Sequence, residues 1–135
     1  MNTSKFFLVL ACTLVLSKPY FVQGRGYTVY VINDLGPIEK LNVHCKSKDD
    51  DLGPHTLGFG EEFYWVFDLN VFGTTLFWCN MDWGNKQGSF EIFNARKEQY
   101  KCGNTFDGHY YRKVRKDGVY YNKHRDGDYW KKYSW

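Results

Sequence analysis

Leu41-Asn42-Val43-His44-Cys45 alternates apolar and polar side chains without a break. Successive side chains of an extended chain point to opposite faces, so Leu41, Val43 and Cys45 share an inward face while Asn42 and His44 look outward. That pattern is a half-buried β-strand. Similar segments flank it on both sides. Tyr27-Thr28-Val29-Tyr30-Val31-Ile32-Asn33 is apolar on both faces, as in a strand covered from two sides. Phe63 to Phe67, Thr74 to Cys79 and Ser89 to Asn94 are rich in the β-branched and aromatic residues that favour strands. Asn33-Asp34-Leu35-Gly36-Pro37, Leu52-Gly53-Pro54, Phe72-Gly73 and Trp83-Gly84-Asn85 read as the turns between them. Later, Val114-Arg115-Lys116-Asp117-Gly118-Val119-Tyr120-Tyr121 sets Asp-Gly between two strand-like halves. This predicts a type I′ hairpin with positive φ at both central residues.

No segment keeps an apolar 3.6-residue period for three turns, so any helix is short. The expected fold is all-β: one domain built as an antiparallel β-sandwich of about six to eight short strands, with a closed barrel as the alternative. Composition agrees. The chain has 135 residues, enough for one core, and is 43% hydrophobic and 24% charged, which excludes intrinsic disorder. It carries 5 Trp, 11 Tyr and 11 Phe, so rings must fill much of the interior. Phe63, Trp65, Phe67, Phe77, Trp78, Phe90 and Phe93 lie in strand segments and are the expected core set.

Residues 1–24 are expected to be a signal peptide. Lys5 precedes an apolar run from Phe6 to Leu16, and Val22-Gln23-Gly24 supplies small residues at the −3 and −1 positions. The run is too short for a membrane span. Cleavage before Arg25 leaves 111 of the 135 residues, an exported domain spanning 25–121 and a basic aromatic extension over 122–135. Cys12 leaves with the signal, so Cys45, Cys79 and Cys102 remain. Three cysteines allow three single bridges, and the residues alone do not choose among them.

Charge is unevenly placed. Residues 25–111 hold 8 basic and 12 acidic side chains, a net of −4, whereas 112–135 hold 8 basic and 3 acidic, a net of +5. Arg112, Lys113, Arg115, Lys116, Lys123, Arg125, Lys131 and Lys132 form the basic set, interleaved with tyrosine and tryptophan. Such a surface suits a cell-wall polyanion; export argues against nucleic acid.

Catalytic and metal chemistry find little footing. Asp49-Asp50-Asp51 starts no EF-hand loop, because the sixth position from Asp49 is Pro54 and the twelfth is Gly60. It reads instead as a surface loop with Asp side chains accepting backbone N–H bonds. His44 and His109 are the candidate acid–base pair for a ribonuclease-like site, but no nucleophile motif accompanies them. No ligand pairs have zinc spacing. The expected protein is not an enzyme and needs no cofactor.

The motifs also carry a resemblance. Val31 to Leu35, then His44-Cys45-Lys46-Ser47-Lys48-Asp49-Asp50-Asp51-Leu52-Gly53, then Thr75-Leu76-Phe77-Trp78-Cys79 resemble the plant self-incompatibility S1 family, the S-protein homologues. Trp83-Gly84, Phe90 to Phe93, Cys102 and Asp117 to Tyr120 continue the order. The resemblance covers about residues 27–121 and implies a small secreted plant β-sandwich with disulfides. It implies an extracellular ligand recognised by a cell-surface receptor; the exposed loops between strands, including 34–40, 46–62 and 80–88, are where recognition is expected. The family usually has a fourth cysteine followed two residues later by Trp; Tyr110 and Arg112 stand there. One family bridge is therefore missing, and the resemblance suggests a Cys79–Cys102 pair with Cys45 unpaired.

Overall fold

Nine strands run through the described residues: β1 (Tyr27–Asn33), β2 (Leu41–Lys46), β3 (Asp51–Leu57), β4 (Glu62–Phe67), β5 (Leu76–Trp83), β6 (Lys86–Asn94), β7 (His109–Arg115), β8 (Gly118–Asn122) and β9 (Trp130–Ser134). One helical turn, α1 (Ala95–Glu98), follows β6. The computed structural model describes residues 26–69, 72–98 and 108–135; the expected signal peptide and Cys102 lie outside them. The strands form two sheets, ordered β4-β1-β7-β8-β9 and β3-β2-β5-β6, which pack face to face as a sandwich.

Pairing is antiparallel with one exception. β1 and β7 run parallel, from Thr28 opposite His109 to Asn33 opposite Val114. A parallel pair needs a long crossover rather than a hairpin, and the chain makes it through the second sheet. The antiparallel β-sandwich expected from the sequence is present, with this one parallel seam.

Alternation places the core. Val29 and Val31 of β1, Leu41, Val43 and Cys45 of β2, and Phe77, Cys79 and Met81 of β5 are all buried. Rings fill the centre: Trp65 lies 5.3 Å from Phe77, Phe67 lies 4.8 Å from Phe77 and 4.9 Å from Phe93, and Phe93 meets Tyr110 edge-on at 5.1 Å. Each such ring contributes roughly 1.5–3 kcal/mol by burial. Trp78, expected among them, falls on the outward phase of β5 and is half-buried. Burial pushes the Tyr110 phenol up to about 12 from 10.0. The folded chain thus holds Tyr110 neutral where the unfolded chain ionises it. Stability from this group is complete below about pH 10 and falls as pH rises toward 12. A spectrophotometric titration should show a late-ionising component, to which Tyr121 also contributes because burial raises its phenol; in Tyr110→Phe that component should shrink by one tyrosine.

Two segments read as turn and tail are strands. Leu52-Gly53-Pro54 belongs to β3, at the edge of its sheet, where Pro54 sits opposite His44. An edge strand tolerates proline because its N–H side can face solvent. Gly53 takes φ of 80° beside the irregular register between His44 and Lys46, which explains its turn-like signature. Residues 130–134, expected in an extension, form β9 on β8, and Tyr133 and Trp135 pack against Phe90. The basic end is part of the domain.

The β7–β8 hairpin is present, but not as type I′. Arg115 pairs with Gly118, so Lys116 and Asp117 are the central residues, and among the described residues none other than glycine has positive φ. Gly118 itself has φ of 156° and lies where a side chain would collide with the Tyr133 carbonyl of β9. The glycine serves the close approach of β9, not the turn.

A disulfide links Cys45 to Cys79, correcting the Cys79–Cys102 pairing and the unpaired Cys45. The reason is register. β2 and β5 are antiparallel neighbours, Cys45 is opposite Cys79, both point inward, and their Cα atoms lie 4.0 Å apart.

Candidate recognition surface

Asn33 organises one end of the sandwich. It continues the inward phase of Val29 and Val31 and is completely buried, so its amide must find partners. Its Nδ2 donates to the carbonyls of Glu39 at 3.0 Å and Leu57 at 2.8 Å, and its Oδ1 accepts from the Leu35 N–H at 2.8 Å. Its backbone N–H donates to Glu61, and its carbonyl accepts from Gly60. One residue therefore ties β1 to the 34–40 loop and the end of β3 through its side chain, and to the 58–61 turn through its backbone. Arg115 Nε donates to Asp34 Oδ2 at 2.8 Å and fastens the 34–40 loop to β7.

The turns between β5 and β6 and between β7 and β8 close at the same end, as the pairings Asn42 with Asp82 and Asn33 with Val114 require. From this pinned end Ile38 stands 86% exposed and Phe59 51% exposed. Both are large apolar side chains presented to solvent on loops that the Asn33 hydrogen bonds hold in place. The expected 46–62 loop divides. Its 47–50 turn lies at the opposite end, β3 occupies its middle, and only 58–61 reaches the Asn33 end. The expected 80–88 loop is mostly strand, with Gly84 and Asn85 as its turn. Asn33 was legible as a candidate: an amide on the apolar phase of a strand needs a hydrogen-bond role.

The basic set does not form one surface. Arg112 points inward and is 1% exposed, so it is withdrawn from the anion-contact residues. Its guanidinium lies 3.5 Å over the Tyr121 ring, donates from Nε to the Ile92 carbonyl at 2.9 Å and reaches Glu98 at 3.3 Å. On the outer face of the five-stranded sheet, Arg115 pairs with Asp34, Lys131 with Asp117, and Arg125 bidentately with Glu62. Arg125 also covers the stacked Tyr30 and Tyr111 rings, and Lys113 sits 4.5 Å over Tyr129. Lys116 is exposed at the β7–β8 turn. Lys123 and Lys132 belong elsewhere, in a cleft beside the end of β6.

His44 and His109 are not brought together. His44 faces outward from the four-stranded sheet and contacts Asp51 Oδ1 at 2.5 Å; His109 faces outward from the five-stranded sheet, where its Nδ1 is 3.0 Å from the Tyr30 hydroxyl. Opposite faces of a sandwich cannot share a substrate. Asp51 accepts from His44 and from the Gly53 N–H, and these bonds hold its carboxyl below the usual range. No group of His, Cys, Asp and Glu suited to a metal ion occurs among the described residues.

Residues 28–135 match the sequence pattern of plant self-incompatibility protein S1. The chain belongs to the plant self-incompatibility protein S1 family. The match takes in β9, so this S1-family domain includes the basic end. S-protein homolog 24 of Arabidopsis thaliana is 40% identical over 100 residues, covering 73% of this chain and 62% of that protein. S-protein homolog 29 of the same plant is 38% identical over 104 residues, covering 75% and 77%. S-protein homolog 21 is 35% identical over 137 residues, covering 98% and 97%. A solved self-incompatibility protein homologue, from a widespread family of small, highly stable, secreted plant proteins, superposes with a TM-score of 0.58. At 20% identity, over 76% of this chain and 89% of that one, it supports the sandwich fold.

Proposed function

We propose that this S1-family protein is exported and acts, without catalysis, as an extracellular ligand for a cell-surface receptor. The observation that carries the reading is the Asn33 end, where Ile38 and Phe59 are presented to solvent on loops fixed by buried hydrogen bonds. Pre-ordered loops lose little entropy on binding, and exposed apolar anchors at their tips gain most from being covered. Family membership and the leader-like residues 1–24 support export. No helix among the described residues is long and apolar enough to cross a membrane.

Labelled protein with its disulfide formed, added to plant cells, should bind saturably. Unlabelled protein should compete, and brief protease treatment of the cell surface should abolish the binding. Absence of saturable, protease-sensitive binding overturns the reading.

A second reading, contact with a cell-wall polyanion, draws on Lys113, Lys116, Lys123 and Lys132. No carboxylate lies within ion-pairing distance of these four among the described residues.

A further inference from the structure

At the end of the sandwich opposite Asn33, a cleft of about 240 Å³ opens between β9, the end of β8, the end of β6 and α1. Its floor is made of rings. The hydroxyls of Tyr121 and Tyr133 both donate to the Glu91 carbonyl, at 2.8 and 2.9 Å, which fixes the two rings against β6. Trp130 stands over Tyr121 at 5.3 Å between centroids and is 55% exposed, so its indole is available.

The charges are arranged to leave a surplus of cation. Of the two carboxylates at the cleft, Glu98 is neutralised from behind by buried Arg112, at 3.3 Å. Glu91 is paired with Lys97 at 3.2 Å and accepts from Asn94 at 3.2 Å. These contacts hold the Glu91 carboxyl below its ordinary range, the Asn94 hydrogen bond contributing most. Lys123 and Lys132 are left over, with the Lys132 Nζ 5.8 Å from both the Trp130 and Tyr133 rings.

We propose that this cleft binds a uronic-acid oligosaccharide, with one sugar ring seated on the Trp130 indole and its carboxylate held by Lys123 and Lys132. A pyranose has an apolar C–H face that packs on an aromatic ring, and a uronate adds one negative charge at its rim. An inorganic anion would use the lysines and waste the indole; a neutral sugar would do the reverse. The volume is below the roughly 300 Å³ at which drug-sized ligands begin, which suits one ring with the rest of the oligomer outside. The Glu91 and Asn94 side chains offer hydrogen-bond partners for the ring hydroxyls. The proposal narrows the polyanion reading to one place and is independent of the receptor reading, whose residues lie at the other end.

The probe is α-1,4-linked trigalacturonate, titrated calorimetrically into the full mature protein at about 0.15 M salt, where diffuse attraction is screened. Saturable binding is expected, with maltotriose showing none and sulfate far less. Trp130→Ala and Lys132→Ala should each weaken binding by about tenfold, while Trp130→Tyr, which keeps a ring, retains most of it. Lys113→Ala and Lys131→Ala, on the outward face, should bind as the wild type does. Absence of saturable binding, or sulfate binding as tightly as the sugar, overturns the proposal. So does binding that Lys113→Ala abolishes and Trp130→Ala spares, which would leave the general polyanion reading standing alone.

Discussion

Arg112→Ala should lower the free energy of unfolding by about 3–5 kcal/mol, the range expected when one partner of a buried ion pair is removed. Three losses coincide. The Ile92 carbonyl loses its 2.9 Å donor, the Tyr121 ring loses the cation stacked at 3.5 Å, and Glu98 loses its counter-charge. A cavity is left in a side chain's place that was 1% exposed. Burial pulls the guanidinium pKa down, and Tyr121, Glu98 and Tyr110 oppose that shift, so the charge is kept by its neighbours. Arg112→Met separates the contributions. It restores most of the volume without charge, and Glu98, which is partly exposed, can turn to water. Its cost should be clearly smaller than that of Arg112→Ala. Urea unfolding followed by tryptophan fluorescence measures both. Equal stability of Arg112→Ala and the wild type would contradict the buried role and return Arg112 to the surface set.

Cys45→Ala should cost about 2–5 kcal/mol, which for a domain of this size corresponds to a fall in melting midpoint on the order of 10–20 °C. The bond closes a loop with a sequence separation of 34 and crosses between two central strands of the four-stranded sheet. Cys79→Ala breaks the same bond, so the double variant should be little worse than either single one. Peptide mapping under non-reducing conditions should recover Cys45 joined to Cys79, and Cys102→Ala should leave that linkage in place. A Cys79–Cys102 peptide would contradict the register of β2 on β5.

Two-residue alternation made most strands readable, because one face of each is buried and the other is not. Where both faces or the edge position matter, the same signal failed. β3 was hidden by Gly53 and Pro54, residues an edge strand accepts and a central strand would not. β9 was hidden by Lys131 and Lys132 at the rim of its sheet, charges that keep an edge from pairing with other chains. The parallel β1–β7 seam and the Cys45–Cys79 bond depend on which strands become neighbours, and local pattern carries no such information. Arg112 is a different case. It shares the inward phase of Tyr110 and Val114, so its burial was visible in the alternation; the surrounding basic residues outweighed that signal. Asn33 likewise sits on an apolar phase, and its five hydrogen bonds explain why an amide belongs there. The Asn33 end was thus readable as a set of loops, and the amide that makes those loops rigid was marked by its place on an apolar phase.

That rigidity matters for function only if the exposed apolar tips make the contact. The direct measurement compares the wild-type protein with the double variant Ile38→Asp, Phe59→Asp in saturation binding to plant cells, with melting curves for both. Both residues lie at the surface, so the variant should melt within a few degrees of the wild type. The account predicts that its saturable binding falls at least to about one tenth. A folded double variant that binds cells as tightly as the wild type would contradict it.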